Sequence, residues 1–189
     1  MMDSHKWPLT ASLAELPESD WSDATIEGAL LNSSSDDDAP FQYAAIAPNQ
    51  IRLLGLYPGR THDPLMGRIT VINFPNLTLS EWEALSYTWG NSADLPQSII
   101  INGRKKQITA NLASALQHLR RPREPMLLWI DSICINQDNN EEKGHQIRLM
   151  RFIYEKATCV IVWLGEYEQS AVHAMKFLNF IEEERPNDD

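Results

Sequence analysis

Cysteine is scarce in this sequence, which limits what disulfides can contribute to its stability. Cys134 and Cys159 are the two cysteines among 189 residues, and both lie in or beside strongly apolar runs. A cysteine in such a run usually behaves as a small buried hydrophobe. We therefore expect two reduced, buried thiols, as is typical of a cytoplasmic protein.

Long apolar runs and basic residues are also in short supply. No run approaches the ~20 apolar residues that cross a bilayer, and residues 1–16 lack the basic segment followed by an apolar stretch that marks a secretory signal. The 26 acidic and 16 basic residues give a net charge of -10, whereas a nucleic-acid binder needs a basic face to displace counterions from phosphates. We expect no membrane span and no nucleic-acid partner.

Familiar cofactor and metal motifs are missing as well. The sequence contains no Gly-x-Gly-x-x-Gly, no Gly-x-x-x-x-Gly-Lys, no Cys-x-x-Cys and no His-x-x-x-His. These spacings are the ones that place backbone amides around phosphates or two metal ligands side by side. From motifs alone, no cofactor and no metal are expected.

What is present changes in character near residue 41. Residues 1–40 are rich in Ser, Asp, Glu and Pro and end in Ser33-Ser34-Ser35-Asp36-Asp37-Asp38 before Ala39-Pro40. Such a composition buries too little apolar surface to offset its ordering entropy. We predict a disordered acidic leader over residues 1–40 and one globular domain over residues 41–189.

The first half of that domain has the pattern of short strands. Residues 51–57 and 69–74 are apolar or alternating runs separated by Gly and Pro, which predicts an N-terminal β-hairpin region. Residues 83–87 predict a third strand. The Asn102-Gly103 pair between two further runs predicts a hairpin with a type I′ turn, because both central residues of that turn need positive φ.

The second half alternates helices with strongly apolar runs. Thr109 or Asn111 can cap a helix that stops before Pro122. Residues 126–130 and 159–164 are almost wholly apolar, as is typical of parallel strands covered by helices, and a helix beginning near Glu141 separates them. A final amphipathic helix is predicted over residues 170–183. The pattern favours an α/β fold, a parallel sheet core with helices on both faces.

Polar residues follow the apolar run 126–130. Asp131 leads into a loop that holds Asn136 and Gln137, and Glu142 and Gln146 share one face of the next helix. In open α/β sheets the ligand crevice lies beyond the carboxyl ends of the parallel strands. The alternative is that these side chains cap the loop and the helix through local hydrogen bonds, and the sequence leaves both interpretations open.

Two other candidates lie near the same predicted crevice. Tyr87, Trp89 and Gly90 close the third strand and either line the crevice or pack against a neighbouring helix. Cys134 as a nucleophile would need a nearby base. Nothing in the sequence places a histidine beside it, which disfavours a Cys-His enzyme.

Read in order, these motifs resemble the heterokaryon-incompatibility (HET) domain of filamentous fungi. The similarity covers about residues 52–166, and its central part is the most specific. The motifs are Glu83-Ala84-Leu85-Ser86-Tyr87-Thr88-Trp89-Gly90, Ile101-Asn102-Gly103, Trp129-Ile130-Asp131-Ser132-Ile133-Cys134-Ile135-Asn136-Gln137, Glu142 with Gln146, and residues 160–166.

The resemblance implies a role in vegetative incompatibility, in which non-self recognition at hyphal fusion leads to programmed cell death. It implies protein partners, either through self-association or with an incompatibility partner. It also implies a fold distantly similar to TIR domains, a flavodoxin-like arrangement. The family-motif residues at the candidate crevice are Tyr87, Trp89, Gly90, Trp129, Asp131, Cys134, Asn136, Gln137, Glu142 and Gln146.

Two alternatives accompany the resemblance. Some TIR domains cleave NAD, so an NAD-cleaving enzyme is one alternative, with Asp131, Asn136, Gln137 and Glu142 lining the nucleotide pocket; no catalytic residue is assigned.

The family usually has arginine where this chain has Lys143, which removes a bidentate donor. A family block with Trp, Thr and a Gln-Glu pair is not found before Asp189, so we expect a domain truncated on its C-terminal side. A truncated, inactive family member is the other alternative.

Overall fold

The computed structural model of the chain describes residues 40–74, 82–89 and 95–166. Its strands are β1 (Gln50–Leu56), β2 (Met66–Asn73), β3 (Glu83–Tyr87), β4 (Gln97–Ile101), β5 (Arg104–Ile108), β6 (Met126–Trp129) and β7 (Cys159–Trp163). The helices in the same ranges are α1 (Ala110–Leu119), α2 (Asp131–Cys134) and α3 (Asn140–Lys156). The strands form one seven-stranded sheet in the order β5-β4-β2-β1-β6-β3-β7.

One half of the sheet is built largely from hairpins. β1 and β2 pair antiparallel with Leu53 opposite Thr70, and β4 and β5 pair antiparallel with Ile99 opposite Lys106. Asn102 and Gly103 have φ values of 52° and 74° in the turn between β4 and β5. Positive φ at both positions is what a type I′ turn requires, so both predicted hairpins are confirmed.

The other half is parallel. β3 lies between β6 and β7 and runs parallel to both, with Glu83 opposite Leu128 on one side and Cys159 on the other. The α/β class is therefore confirmed, but the sheet as a whole is mixed, because β1 joins β6 antiparallel with Leu54 opposite Leu128. β1 is buried on both faces, and such a strand has the same apolar pattern as a parallel one.

Helices cover both faces of the sheet, as the apolar runs predicted. On one face Leu112 and Leu116 of α1 pack with Ile99 and Ile101. On the other, Ile153 of α3 packs with Trp129 and the strand residues around it. The N-caps are local: the Thr109 hydroxyl accepts a hydrogen bond from the Leu112 amide at 3.2 Å, and the Asn139 side chain caps α3.

One sequence expectation needs correction, and two others fall outside the described ranges. Cys134 is buried as predicted, but Cys159 is exposed. In the described part of the chain β7 is an outer strand, so an apolar sequence there does not guarantee burial. The predicted leader, except for Pro40, and the helix predicted over residues 170–183 lie outside the described residues.

Candidate functional site

The carboxyl ends of β3 and β6 bring three of the predicted residues together. The sequence predicted that Asp131 leads into a loop. Instead, Asp131 is the first residue of the single-turn helix α2, where the Ser132 amide donates to its Oδ1 at 2.7 Å. Trp89 is 48% exposed, and its Nε1 donates to Oδ2 of Asp131 at 3.2 Å. The Tyr87 hydroxyl lies 2.6 Å from Oγ of Ser132.

The environment of Tyr87 keeps its hydroxyl protonated at neutral pH. Burial raises the pKa of Tyr87 to about 12, and the hydrogen bond with Ser132 opposes this shift without cancelling it. The nearby carboxylate of Asp131 acts in the same direction as burial. Tyr87 therefore acts here as a neutral hydrogen-bonding group, while Asp131 and Trp89 remain accessible to solvent.

A second polar group, which sequence reasoning missed, joins the ends of β3 and β7 to α1. Asn111 Nδ2 donates to the Thr88 carbonyl at 2.6 Å, and Trp163 Nε1 donates to Asn111 Oδ1 at 2.9 Å. Ser114 Oγ donates to Oε1 of Glu166 at 2.6 Å. Asn111 stood out in the sequence as a possible cap, but Thr109 caps α1, which leaves the Asn111 side chain to connect the two strands.

Glu142 lies apart from these groups, in a buried ion pair with Arg52. Arg52 Nη1 and Nη2 donate to the two carboxylate oxygens of Glu142 at 2.6 and 3.0 Å, and the two side chains are 1% and 8% exposed. Arg52 also donates to the carbonyls of Cys134 and Ala44. The Asn136 amide donates to Glu142 at 2.8 Å. The pair thus connects β1, the loop after α2 and the start of α3.

The charge state of Glu142 follows from these contacts. Burial by itself would raise the pKa of Glu142, but the hydrogen bonds from Arg52 and from the Asn136 amide outweigh it and leave the pKa below its usual value. The Tyr43 ring completes the enclosure, with the Arg52 guanidinium 4.8 Å from its centroid. Glu142 is therefore ionised and fully engaged, and its oxygens face Arg52 rather than a crevice.

The remaining amides of the motif also hold the backbone. Gln146 is 1% exposed, and its Nε2 donates to the Gln50 carbonyl at 2.7 Å. Gln137 Nε2 donates to the Asp131 carbonyl at 3.0 Å, and Asn136 Oδ1 accepts from the Asp138 amide at 3.2 Å. Their contacts in the structure are architectural.

Trp129 and Cys134 are buried behind the strand ends. Trp129 is 0% exposed and packs edge-on against Tyr154, with ring centroids 5.4 Å apart. Burial raises the pKa of Cys134 to about 12, so its thiol stays neutral, and a neutral thiol is a poor nucleophile. His118 lies beside Trp163, with ring centroids 5.1 Å apart. Gly90 is outside the described residues.

The structure therefore separates the predicted residues into two groups. Tyr87, Trp89 and Asp131 form a partly exposed cluster, which we call the strand-end cluster, at the ends of β3 and β6. The other described motif residues are buried or hold the backbone of the loop after α2. In the described ranges no group of three or more His, Cys, Asp or Glu is placed to hold a metal ion, and no helix there is long and apolar enough to cross a membrane.

Comparison with known proteins gives two matches. The family model described as heterokaryon incompatibility protein (HET) matches residues 82–189. Heterokaryon incompatibility protein 6, OR allele, from Neurospora crassa is 39% identical over 157 residues, an alignment that covers 72% of this chain and 23% of that protein. The chain thus spans about a quarter of the length of this curated relative. No solved structure matches the chain.

Proposed function

The chain belongs to the heterokaryon incompatibility (HET) family, and on that premise we propose that it acts in heterokaryon incompatibility, linking non-self recognition to programmed cell death through protein contacts. The observation that carries this proposal is the family match over residues 82–189, together with 39% identity to an incompatibility protein. Two free cysteines support a cytoplasmic location.

The surface of the domain supports action through protein contacts. Val160, Val162 and Leu164 are 44%, 61% and 65% exposed; the two valines share one face of β7, and Leu164 directly follows the strand. Adjacent exposed apolar side chains of this kind are typical of surfaces that contact another protein, a second copy of the chain included. The strand-end cluster adds an exposed tryptophan, a residue type enriched among those that carry most of the binding energy at interfaces, with the carboxylate of Asp131 beside it.

Expression in a filamentous fungal host tests the proposal. We expect the chain to arrest growth, and we expect Asp131→Asn to relieve the arrest, because this change weakens the acceptor of Trp89 Nε1 in the strand-end cluster. Asp138→Asn, in the same loop region but exposed, removes the same charge and should leave the arrest intact. The readout is colony growth at matched protein levels; equal effects of the two substitutions would contradict a role for the cluster.

We further propose that the parallel half of the sheet is TIR-like, that is, flavodoxin-like. The parallel strands follow one another along the chain as β3, β6 and β7, but in the sheet β3 lies between β6 and β7. Numbered by their place in the chain, the strands therefore lie side by side in the order second, first, third. Flavodoxin-like sheets share this order and bind their ligand between the carboxyl ends of the first and third strands. The corresponding position here lies between Trp89 and Glu166.

An NAD-cleaving activity is the second candidate function, and this strand order is the observation that favours it. Two carboxylates, Asp131 and Glu142, were predicted to line the nucleotide pocket. Asp131 stays partly exposed at the strand ends, whereas Glu142 is paired with Arg52. We expect the purified chain to release nicotinamide from NAD, and Asp131→Asn to release it more slowly than Asp138→Asn. Chromatographic measurement of nicotinamide at micromolar protein concentrations tests this, and the absence of release would remove the candidate without affecting the incompatibility role.

A further inference from the structure

The two outer strands of the described sheet differ sharply in charge. β7 carries no charged residue, whereas β5 begins with Arg104, Lys105 and Lys106 in succession. Arg104 and Lys105 are exposed, and among the residues described neither takes part in an ion pair. Charged residues on an edge strand prevent pairing with other chains. They also place positive charge at this edge of a protein whose net charge is -10.

The chain enters the described fold at this same edge. Pro40 forms a parallel bridge with Lys105, and the Phe41 amide donates to the Lys105 carbonyl at 3.0 Å. Lys106 fixes the entry further, since its Nζ lies 5.9 Å from the Phe41 ring centroid and 4.9 Å from that of Tyr43. The backbone at Pro40 and Phe41 is thus held in place by β5.

The residues just before Pro40 are strongly acidic. Asp36, Asp37 and Asp38 lie two to four positions upstream, a reach of about 7–13 Å in extended backbone. Because the bridge is parallel, going back along the chain from Pro40 has the same direction as going back along β5 from Lys105 to Arg104. Residues 1–39 contain nine acidic residues and one basic residue, so they hold a net charge of -8 out of -10 for the chain.

We propose that Asp36–Asp38 of the leader dock on the basic edge formed by Arg104 and Lys105. The occupant is a segment of the same chain, because the bridge holds Pro40, two residues after Asp38, at this edge and the two charges are complementary. The docked leader covers the strand edge and neutralises its positive charge, so that an acidic segment of another protein reaches the edge only by displacing the leader. The proposal does not depend on the role in incompatibility.

Charge-swap variants of the full chain test the docking. We expect the backbone amides of residues 36–38 to have ¹⁵N order parameters nearer about 0.85 than about 0.6 in low salt, and to lose that order in 1 M NaCl, where the Debye length is about 3 Å. Arg104→Asp with Lys105→Asp should have the same effect as salt. Adding Asp36→Lys, Asp37→Lys and Asp38→Lys to that variant should restore the order. Lys106 stays unchanged, because it packs on Phe41 and Tyr43.

A second variant is the control for the change in net charge. Asp3→Lys, Asp20→Lys and Asp23→Lys change the leader charge by the same amount away from the edge, and the order of residues 36–38 should persist. Low order in the unaltered chain at low salt would overturn the proposal. So would a failure of the combined charge swap to restore order while the fold, followed by the amide shifts of β1, remains intact.

Discussion

Replacing Glu142 with glutamine is expected to lower the free energy of unfolding by about 3–5 kcal/mol. The substitution keeps the shape of the side chain but leaves the Arg52 guanidinium, which is 1% exposed, without its compensating charge. The carbonyls of Cys134 and Ala44 still accept from Arg52, but neutral acceptors do not replace a bidentate carboxylate. The neighbouring loop also loses a charged acceptor for the Asn136 amide.

Urea denaturation measures this loss as a lower transition midpoint with an unchanged slope. Glu141→Gln is the matched control, because Glu141 occupies the same helical turn but is exposed. Its effect should stay within about 0.5 kcal/mol. Similar midpoints for the two variants would show that the ion pair does not hold the loop after α2 and β1 together.

The pH dependence of stability follows from the same pair. The pKa of Glu142 is lower in the folded protein than its usual value, so its contribution is fully present above the unfolded value of about 4.3 and is lost as pH falls through the folded pKa. The stability difference between the unaltered chain and Glu142→Gln should therefore be constant near neutral pH and shrink below about pH 4.3. A difference that grows on acidification would contradict the ion-pair account.

Local sequence signals predicted the secondary structure well because each depends on neighbours in the chain. The Asn102-Gly103 turn, the cap at Thr109 and the apolar run of β6 all follow from short-range sterics, hydrogen bonding and hydrophobic pattern. The strand order does not. β1 is apolar apart from Gln50 and Arg52 and is buried on both faces like a parallel strand, and its antiparallel place beside β6 depends on contacts 70 or more residues apart in sequence.

The candidate site shows the same division. The sequence indicated that Asp131 follows a strand, and the structure places it there, beside Trp89. It could not indicate that Glu142 turns toward Arg52, which is 90 positions away. The one local signal was a charged residue within the otherwise apolar run of β1, where an arginine requires a buried partner. For a side-chain amide such as that of Gln146, no sequence pattern distinguishes a residue that contacts a ligand from one that forms a hydrogen bond with the backbone.

Trp129→Ala is expected to lower the free energy of unfolding by about 3–5 kcal/mol, and Trp89→Ala by less than about 1 kcal/mol. The two indoles belong to the same family resemblance but differ in burial, since Trp129 is 0% exposed and Trp89 is 48% exposed. Trp129 fills the space between β6 and α3, against Tyr154, so its removal leaves a cavity. Thermal or urea unfolding of both variants measures the difference.

Trp129→Phe separates loss of packing from loss of a polar contact. Among the described residues the Trp129 Nε1 has no hydrogen-bond partner, so phenylalanine removes a costly buried donor while it retains an aromatic ring beside Tyr154. We expect it to be clearly less destabilising than alanine, and equal losses would contradict this.

A growth assay on Trp129→Ala would therefore report on folding, because a loss of about 3–5 kcal/mol is a large part of the about 5–15 kcal/mol that stabilises a typical domain. Trp89 and Asp131, which can be changed without emptying the core, are the residues whose substitution tests function.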